Sequence, residues 1–348
     1  MEGAEINDNS INDAWEDFVA VLRRDGVVRH ADAMVTPLTD GVSSEIYRID
    51  DGADRFVVKR ALPKLKVRDE WKADVGRNRY EQLYIEYVAR FLPQAMPSLR
   101  PGTMDRGFFA MEFLGEEFKS WKHLLLSGKA RVEDASAAAS ILGVIHARSA
   151  GDREAERLFD TTANFMQLRI DPYLITTGNR HPELRHAFHA EAQRLASTRQ
   201  CLVHGDFSPK NIMISRTRMV LLDCEVAWYG DAAFDVAFVL THLLLKGLHH
   251  APGQCGLDKL ALAFWEGYIE AAHEAIDIQA LEPRVARLLL MLLLARIDGK
   301  SPVEYLQQPE KKDWVRAFAT AGILTDCSSL LDVIHPWFSQ LQGWEPLP

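Results

Sequence analysis

Apolar and polar positions follow two different rhythms along this chain. From Val35 to Val58 they alternate or form short apolar runs, with turns at Thr39–Asp40–Gly41 and Asp50–Asp51–Gly52. EIYRI alternates and RFVVK is a buried run ending in lysine, so the stretch predicts β-strands. Ahead of it, Trp15, Phe18, Val21 and Leu22 recur at helical spacing and predict a short amphipathic helix from Asn12 to Arg24. The first ten residues are polar and are expected to fray. A basic, proline-containing segment, ALPKLKVRDEWK, leads into a helix predicted from Arg77 to Phe91, which stops before Pro93. Two more strands are expected around Ser98–Leu99 and Phe108–Phe113.

Beyond Leu114 the period changes to that of helices. They are predicted over Val132–Ala147, Arg153–Leu168, Glu183–Ser197, Ala233–Leu245, Leu257–Ala275 and Leu281–Ala295. Shorter ones are expected at Val303–Leu306, Lys312–Ala321 and Leu330–Leu341. The strand-like interruptions are CLVHGD, NIMIS and MVLLD. This distribution predicts an α+β chain: a small, antiparallel β-rich lobe over residues 1–114 and a larger, mostly helical lobe over 115–348.

The chemistry concentrates in the interruption. CLVHGDFSPKN turns sharply through His204, Gly205 and Asp206 and carries Asn211 at plus five from the aspartate. VLLDCEVAWYGDAAFD follows, with Asp223 closing an apolar run. Asp and Asn are common turn residues, and a lone His-Gly-Asp would mean little. The added Asn211 and Asp223 complete the catalytic and metal set of the protein-kinase template. There the loop aspartate takes the proton of the attacking hydroxyl, while Asn and the later Asp hold Mg²⁺ against the nucleotide phosphates, because hard cations want oxygen ligands. Asp206 is thus the expected base, Asn211 and Asp223 the expected metal ligands, and ATP with Mg²⁺ the expected cofactors.

Other positions acquire meaning in that context. Lys59 ends its strand as the nucleotide lysine does in kinases, and a point-charge ammonium there can hold phosphates. Gly41, Ser43 and Ser44 form a candidate phosphate-covering turn, though one glycine is a weak motif and an ordinary hairpin turn fits as well. FFAMEFLG lies at the expected lobe boundary, where backbone groups of Glu112 and Leu114 would meet an adenine edge. A lysine in this role needs a helix carboxylate, and Glu81 and Glu86 are both available. Lys210 is placed to reach phosphate or to be solvated, and Glu225 to join the metal shell or orient the loop. His204 is expected to support the loop, Asp231 to cap a helix, and Asp235 to brace the catalytic turn from inside. His186, His189, His249 and His250 read as solvated helix positions. Trp228, Tyr229, Trp265 and Trp314 are either core or a stacking wall for a ligand.

Composition narrows the partners. The net charge of −9 and pI near 5.8 argue against a nucleic-acid partner. Four scattered cysteines with no Cys-x-x-Cys pair suit a reducing cytosol. The acidic start is unlike a signal peptide, and the longest apolar run, Leu288 to Ala295, is too short to span a bilayer. A cytoplasmic protein without membrane contacts, monomeric or homodimeric, is expected.

HGDFSPKNI followed by LLDCEVAWYGDAAFDVAF resembles the aminoglycoside phosphotransferase and choline kinase superfamily. KRALPKLKVRDEWKADVGRNRYE is similar to the methylthioribose kinase branch, whose helix start matches Arg77, Arg79 and Glu81. The resemblance implies a protein-kinase-like fold with a five-stranded sheet, Glu81 as partner of Lys59, and ATP- and Mg²⁺-dependent phosphorylation of a small-molecule hydroxyl. The branch's late arginine pair is missing: Arg284, Arg287 and Arg296 are separate, and the segment Arg296–Lys300, which follows the apolar helix, is a candidate to face the cleft, with Arg296 as substrate or loop support. Antibiotic phosphorylation shares the motifs and differs in the acceptor pocket. A non-catalytic nucleotide-binding pseudokinase would be expected to have lost a base or ligand that this chain keeps.

Overall fold

The computed structural model describes residues 19–38, 44–61, 76–101, 107–253 and 256–342. It falls into two compact units, Met1–Asn78 with Ser98–Phe113 and Arg79–Pro97 with Leu114–Pro348. The helix over Arg77–Ala89 therefore groups mainly with the second unit, whereas a division after residue 114 keeps it with the strands.

In the first unit, helix α1 occupies residues 19–24 of the described chain, ahead of four antiparallel strands in the order β1-β2-β3-β4. These are β1 (Met34–Leu38), β2 (Ser44–Asp51), β3 (Asp54–Ala61) and β4 (Phe108–Glu112). From Tyr47 onward β2 alternates buried and half-buried positions, as its sequence alternates. Strand β3 runs between β2 and β4, so Phe56, Val57, Val58 and Lys59 are all buried. The core packs Leu22 and Val28 against Tyr47, Ile49, Phe56, Val58, Phe108 and Ala110. The five-strand expectation is met only partly among the described residues. Where the fifth would lie, Leu99 makes a single bridge to Met111, flanked by Arg100 N–H to Ala110 O at 2.8 Å and Glu112 N–H to Ser98 O at 2.9 Å. Ser98 directly follows Pro97, which cannot donate to a ladder.

The second unit begins with α2 (Arg77–Ala89) and continues in α3 (Trp121–Leu126), α4 (Val132–Ser149) and α5 (Arg153–Leu158). The helix expected to run on to Leu168 stops at Leu158. The chain becomes helical again at α6 (Thr162–Phe165), widens into a π-helical stretch over Met166–Ile175, and tightens into α7 (Thr176–Arg180). Pro172 lies inside the wide stretch and lacks the N–H an α-turn needs. After α8 (Arg185–Ser197) come β6 (Cys201–Val203), β7 (Ile212–Ile214), β8 (Met219–Leu221) and β9 (Trp228–Gly230). β6 pairs with β9, and β7 pairs with β8 and with the two-residue β5 (Lys119–Ser120).

Helices α9 (Ala233–His250), α10 (Leu257–Ala272), α11 (Ile278–Asp298), α12 (Pro309–Leu324) and α13 (Leu331–Gln342) complete the unit. α4 and α10 approach closely because Gly143 faces Ala271 and Gly267 faces Ala139. α9 and α11 are buried over most of their surface, which explains their near-continuous apolar sequence. No helix among the described residues is long and apolar enough to cross a membrane. Two local expectations fail. Val303–Leu306 is not helical, because α11 ends at Gly299 and the Val303 N–H turns back to Arg296 O at 2.9 Å. α3 is too short to show a period in sequence; the Ser120 hydroxyl caps it by accepting the His123 N–H at 3.2 Å.

Phe56 is fully buried, with the Arg100 guanidinium 4.0 Å from its ring centre. Phe56→Ala is expected to destabilise the protein by about 3–5 kcal/mol in urea unfolding, and Leu38→Ala, at a 37% exposed position, by under ~1 kcal/mol.

Candidate active site

The turn His204–Gly205–Asp206 leaves β6 and is held from beneath by the first turn of α9. Asp235 is fully buried, and its carboxylate accepts the N–H groups of His204 at 2.6 Å and Gly205 at 2.9 Å. His146 on α4 approaches the same carboxylate at 3.4 Å, and its other nitrogen lies 2.9 Å from the Tyr268 hydroxyl. Gly205 sits at φ +76°, and a Cβ there would lie 2.5 Å from Val226 O, so no other residue fits. His204 Nδ1 accepts the Asp206 N–H at 3.2 Å, while its ring packs edge-on against Tyr84 and Phe207. Burial holds His204 below the usual imidazole range, so the acceptor geometry and the neutral ring agree. His204 supports the turn.

Asp206 is 7% exposed and faces two cations. Lys210 Nζ lies 3.0 Å from its Oδ2 and Arg169 Nη2 lies 3.2 Å from the same oxygen. Burial alone would push this carboxyl up, but Lys210 and Arg169 outweigh it and hold it below the ordinary carboxylate range. Arg169 also donates to Gly205 O and, at 2.7 Å, to Leu168 O. No sequence motif isolates Arg169. Its only signal is an arginine in an apolar helical stretch just before Asp-Pro, and the π-helical turn there brings it to the loop.

Asn211 Nδ2 donates to Asp206 O at 3.0 Å, which ties the two ends of the loop together. Asp223 adopts a left-handed backbone, φ +61°, at the end of the apolar run, and its Oδ2 lies 3.9 Å from Lys210 Nζ. Carboxylate oxygens of Glu81, Asp223 and Glu225 all lie within 4.8 Å of one another. Glu81 comes from α2, whose backbone is pinned nearby by Cys224 Sγ donating to Glu81 O at 3.6 Å. Three converging carboxylates, two of them buried, repel one another unless a cation is shared, and an all-oxygen set suits a hard divalent ion. Glu81 is thus brought together with the acids of the loop that follows β8.

The remaining expected positions divide. Lys59 is 2% exposed on β3, opposite Ile46 and Phe109, and Ser44 is buried at the start of β2. Gly41 and Ser43 lie outside the described residues. The Glu112 N–H is already given to Ser98 O, and its Oε2 accepts the Ser98 N–H at 3.0 Å; Leu114 is half-buried. Arg296 is buried against Tyr173 and Ser301. Trp228 is core, stacked on Phe165, and Trp265 is buried beside Tyr268. His249 and His250 are half-buried and sit against the carbonyls of Tyr305 and Leu125, so they are not solvated as expected. Apolar neighbours on a short-loop helix end gave that expectation no hint of the packing.

Removing the Asp235 carboxylate strands two buried N–H groups. Asp235→Ala is expected to cost roughly 3 kcal/mol or more in denaturant unfolding, and to raise amide exchange at His204 and Gly205 before it does so in α11.

Comparison with known proteins identifies the family and the fold. The model of the phosphotransferase enzyme family matches residues 34–276. The methylthioribose kinase of Pectobacterium atrosepticum is 25% identical over 279 residues, covering 70% of this chain and 67% of the relative. That of Bacillus cereus is 22% identical over 254 residues, covering 66% and 65%. The chain thus spans about two thirds of the length of these curated relatives. Among solved structures, a Plasmodium vivax ethanolamine kinase superposes with a TM-score of 0.57 at 12% identity, covering 94% of this chain and 93% of that one. An amicoumacin kinase solved with AMP-PNP and Ca²⁺ gives 0.57 at 14%, covering 95% and 99%. These likenesses carry the fold, and the family match carries the reaction class. This chain belongs to the phosphotransferase enzyme family and is a small-molecule kinase.

Proposed function

We propose that the protein transfers the γ-phosphoryl group of ATP, with Mg²⁺, to a hydroxyl of a sugar-like metabolite. The observation that supports this best is Asp206: a buried carboxylate kept ionised by Lys210 and Arg169, on a loop that also carries Asn211, with Asp223 within 3.9 Å of the same Lys210. A carboxylate in that state can accept a hydroxyl proton as the oxygen attacks. Lys210 leans toward both Asp206 and Asp223, so it offsets negative charge gathering between base and acids. Asp223, Glu225 and Asn211 would hold Mg²⁺, with Glu81 beside them; the ion, when bound, neutralises charge on the phosphate oxygens. Lys59 would supply a point charge for the nucleotide phosphates. Asp235, Gly205 and His204 contribute posture alone, fixing the backbone from which Asp206 projects.

A coupled ADP-release assay with Mg-ATP tests this across methylthioribose and other pentoses, choline-type amino alcohols, homoserine and aminoglycosides. Asp206→Asn is expected to cut turnover by about 10²–10⁴-fold with nucleotide affinity retained. Retained turnover would remove Asp206 from the role of base. Chelation of divalent ions is expected to abolish ADP release, with recovery on adding Mg²⁺.

A further inference from the structure

A second group of charges lies in the helical unit, away from the acids. Lys246 on α9 is 1% exposed and Arg296 on α11 is 9% exposed. Among the described residues neither has a carboxylate ion-pair partner. Lys246 Nζ has only the Tyr305 hydroxyl, at a long 3.5 Å, with the Tyr305 ring centre 4.7 Å away. Arg296 donates through Nη1 to Tyr173 Oη at 3.2 Å, to Ser301 Oγ at 2.9 Å and to Ser301 O, and its Nε is buried without a partner among the described residues. One helical turn before Lys246, His242 is 7% exposed and its Nδ1 is likewise unpartnered. The nearby acid, Glu304, is already paired with Lys122 at the surface. Buried cations are normally paired, since an unpaired one loses its hydration without return.

The group is connected to the base. Arg169, which touches Asp206, lies 6.0 Å from the Tyr173 ring centre, and the Tyr173 hydroxyl is the one that meets Arg296. Burial, then Lys246 and Arg296, hold His242 well below the usual imidazole range. Burial, Lys122 and Arg296 bring Lys246 down to about 7, so an oxyanion beside it would restore its full charge.

We propose that the acceptor of this kinase carries an oxyanion, a carboxylate or phosphate, seated between Lys246, Arg296 and His242 while its hydroxyl faces Asp206. This rests on the kinase reading above and narrows it to hydroxy acids and sugar acids. Polycationic antibiotics and choline-type amines would meet two like charges there.

The test uses matched pairs: glycerate with glycerol, erythronate with erythritol, gluconate with glucose. Each is measured by thermal shift without nucleotide and by ADP release with Mg-ATP. The acids are expected to raise Tm and release ADP and the parent alcohols to do neither. Lys246→Met keeps the side-chain volume and removes a buried charge, so its unliganded Tm should not fall. It should lose the shift and raise KM for the acid by about ten- to hundred-fold. Turnover of neutral sugars or amino alcohols with KM unchanged in Lys246→Met overturns the proposal and leaves the kinase reading intact, and the wild-type pairs alone are enough to show it. Acid binding that depends on Lys246, without ADP release from any acceptor, supports the oxyanion seat and counts against the kinase reading instead. Inorganic phosphate stabilising the protein as strongly as the acids, none of which turns over, would mark a free-anion site and overturn the acceptor assignment.

Discussion

One carboxylate, Asp235, sets the posture of the catalytic turn. A tight turn that leaves a buried strand exposes N–H groups where water cannot reach them, and Asp235 takes two of these at once. Its own charge is steadied by His146, which Tyr268 orients in turn, so helices α4, α9 and α10 converge on a single acceptor. The left-handed Gly205 and the Val226 carbonyl beneath it leave the backbone one path. Asp206 therefore projects from a frame fixed on three sides. Pre-organisation of this kind lets electrostatics act on a reacting group without rearrangement at the moment of reaction.

Charge in the helical unit is sorted by position. Glu81, Asp223 and Glu225 gather on one side, and Lys246, Arg296 and Lys122 on another. Lys210 and Arg169 lie against Asp206. This ordering matters more than the overall negative charge, which says little about which groups meet a ligand. It also explains how a chain with an acidic balance can offer a basic seat to a small molecule.

The fold was legible where periodicity was strong. The alternation of β2 and the helical period after Leu114 gave the two textures, and the spacing of Asp206, Asn211 and Asp223 gave the loop chemistry. Asp235 could be placed as a brace because it opens an apolar helix just after that loop. Legibility failed where a side chain acts from inside an element that reads as core. Arg169 lies in a stretch whose π-helical turn shifts register, and a period of 3.6 cannot show that. Lys246 and His242 sit in AFDVAFVLTHLLLKGLHH, where burial all round hides which face they serve. The grouping of Glu81 with Asp223 and Glu225 depends on tertiary approach between α2 and the loop, which no local pattern encodes.

The widened turn over Met166–Ile175 has a consequence for how such a scaffold can diversify. Its extra residue per turn rotates the succeeding residues relative to an ordinary helix, and it delivers Arg169 and Tyr173 toward different neighbours, the loop and Arg296. Arg169, at the start of the stretch, stays tied to Gly205 O and Asp206, whereas Tyr173 lies one turn further on against Arg296. A length change beyond Arg169 would re-aim Tyr173 and leave the arginine on the catalytic turn. A lineage could thus alter the surroundings of Arg296 through a length change in a helix while keeping the cation that holds its base ionised.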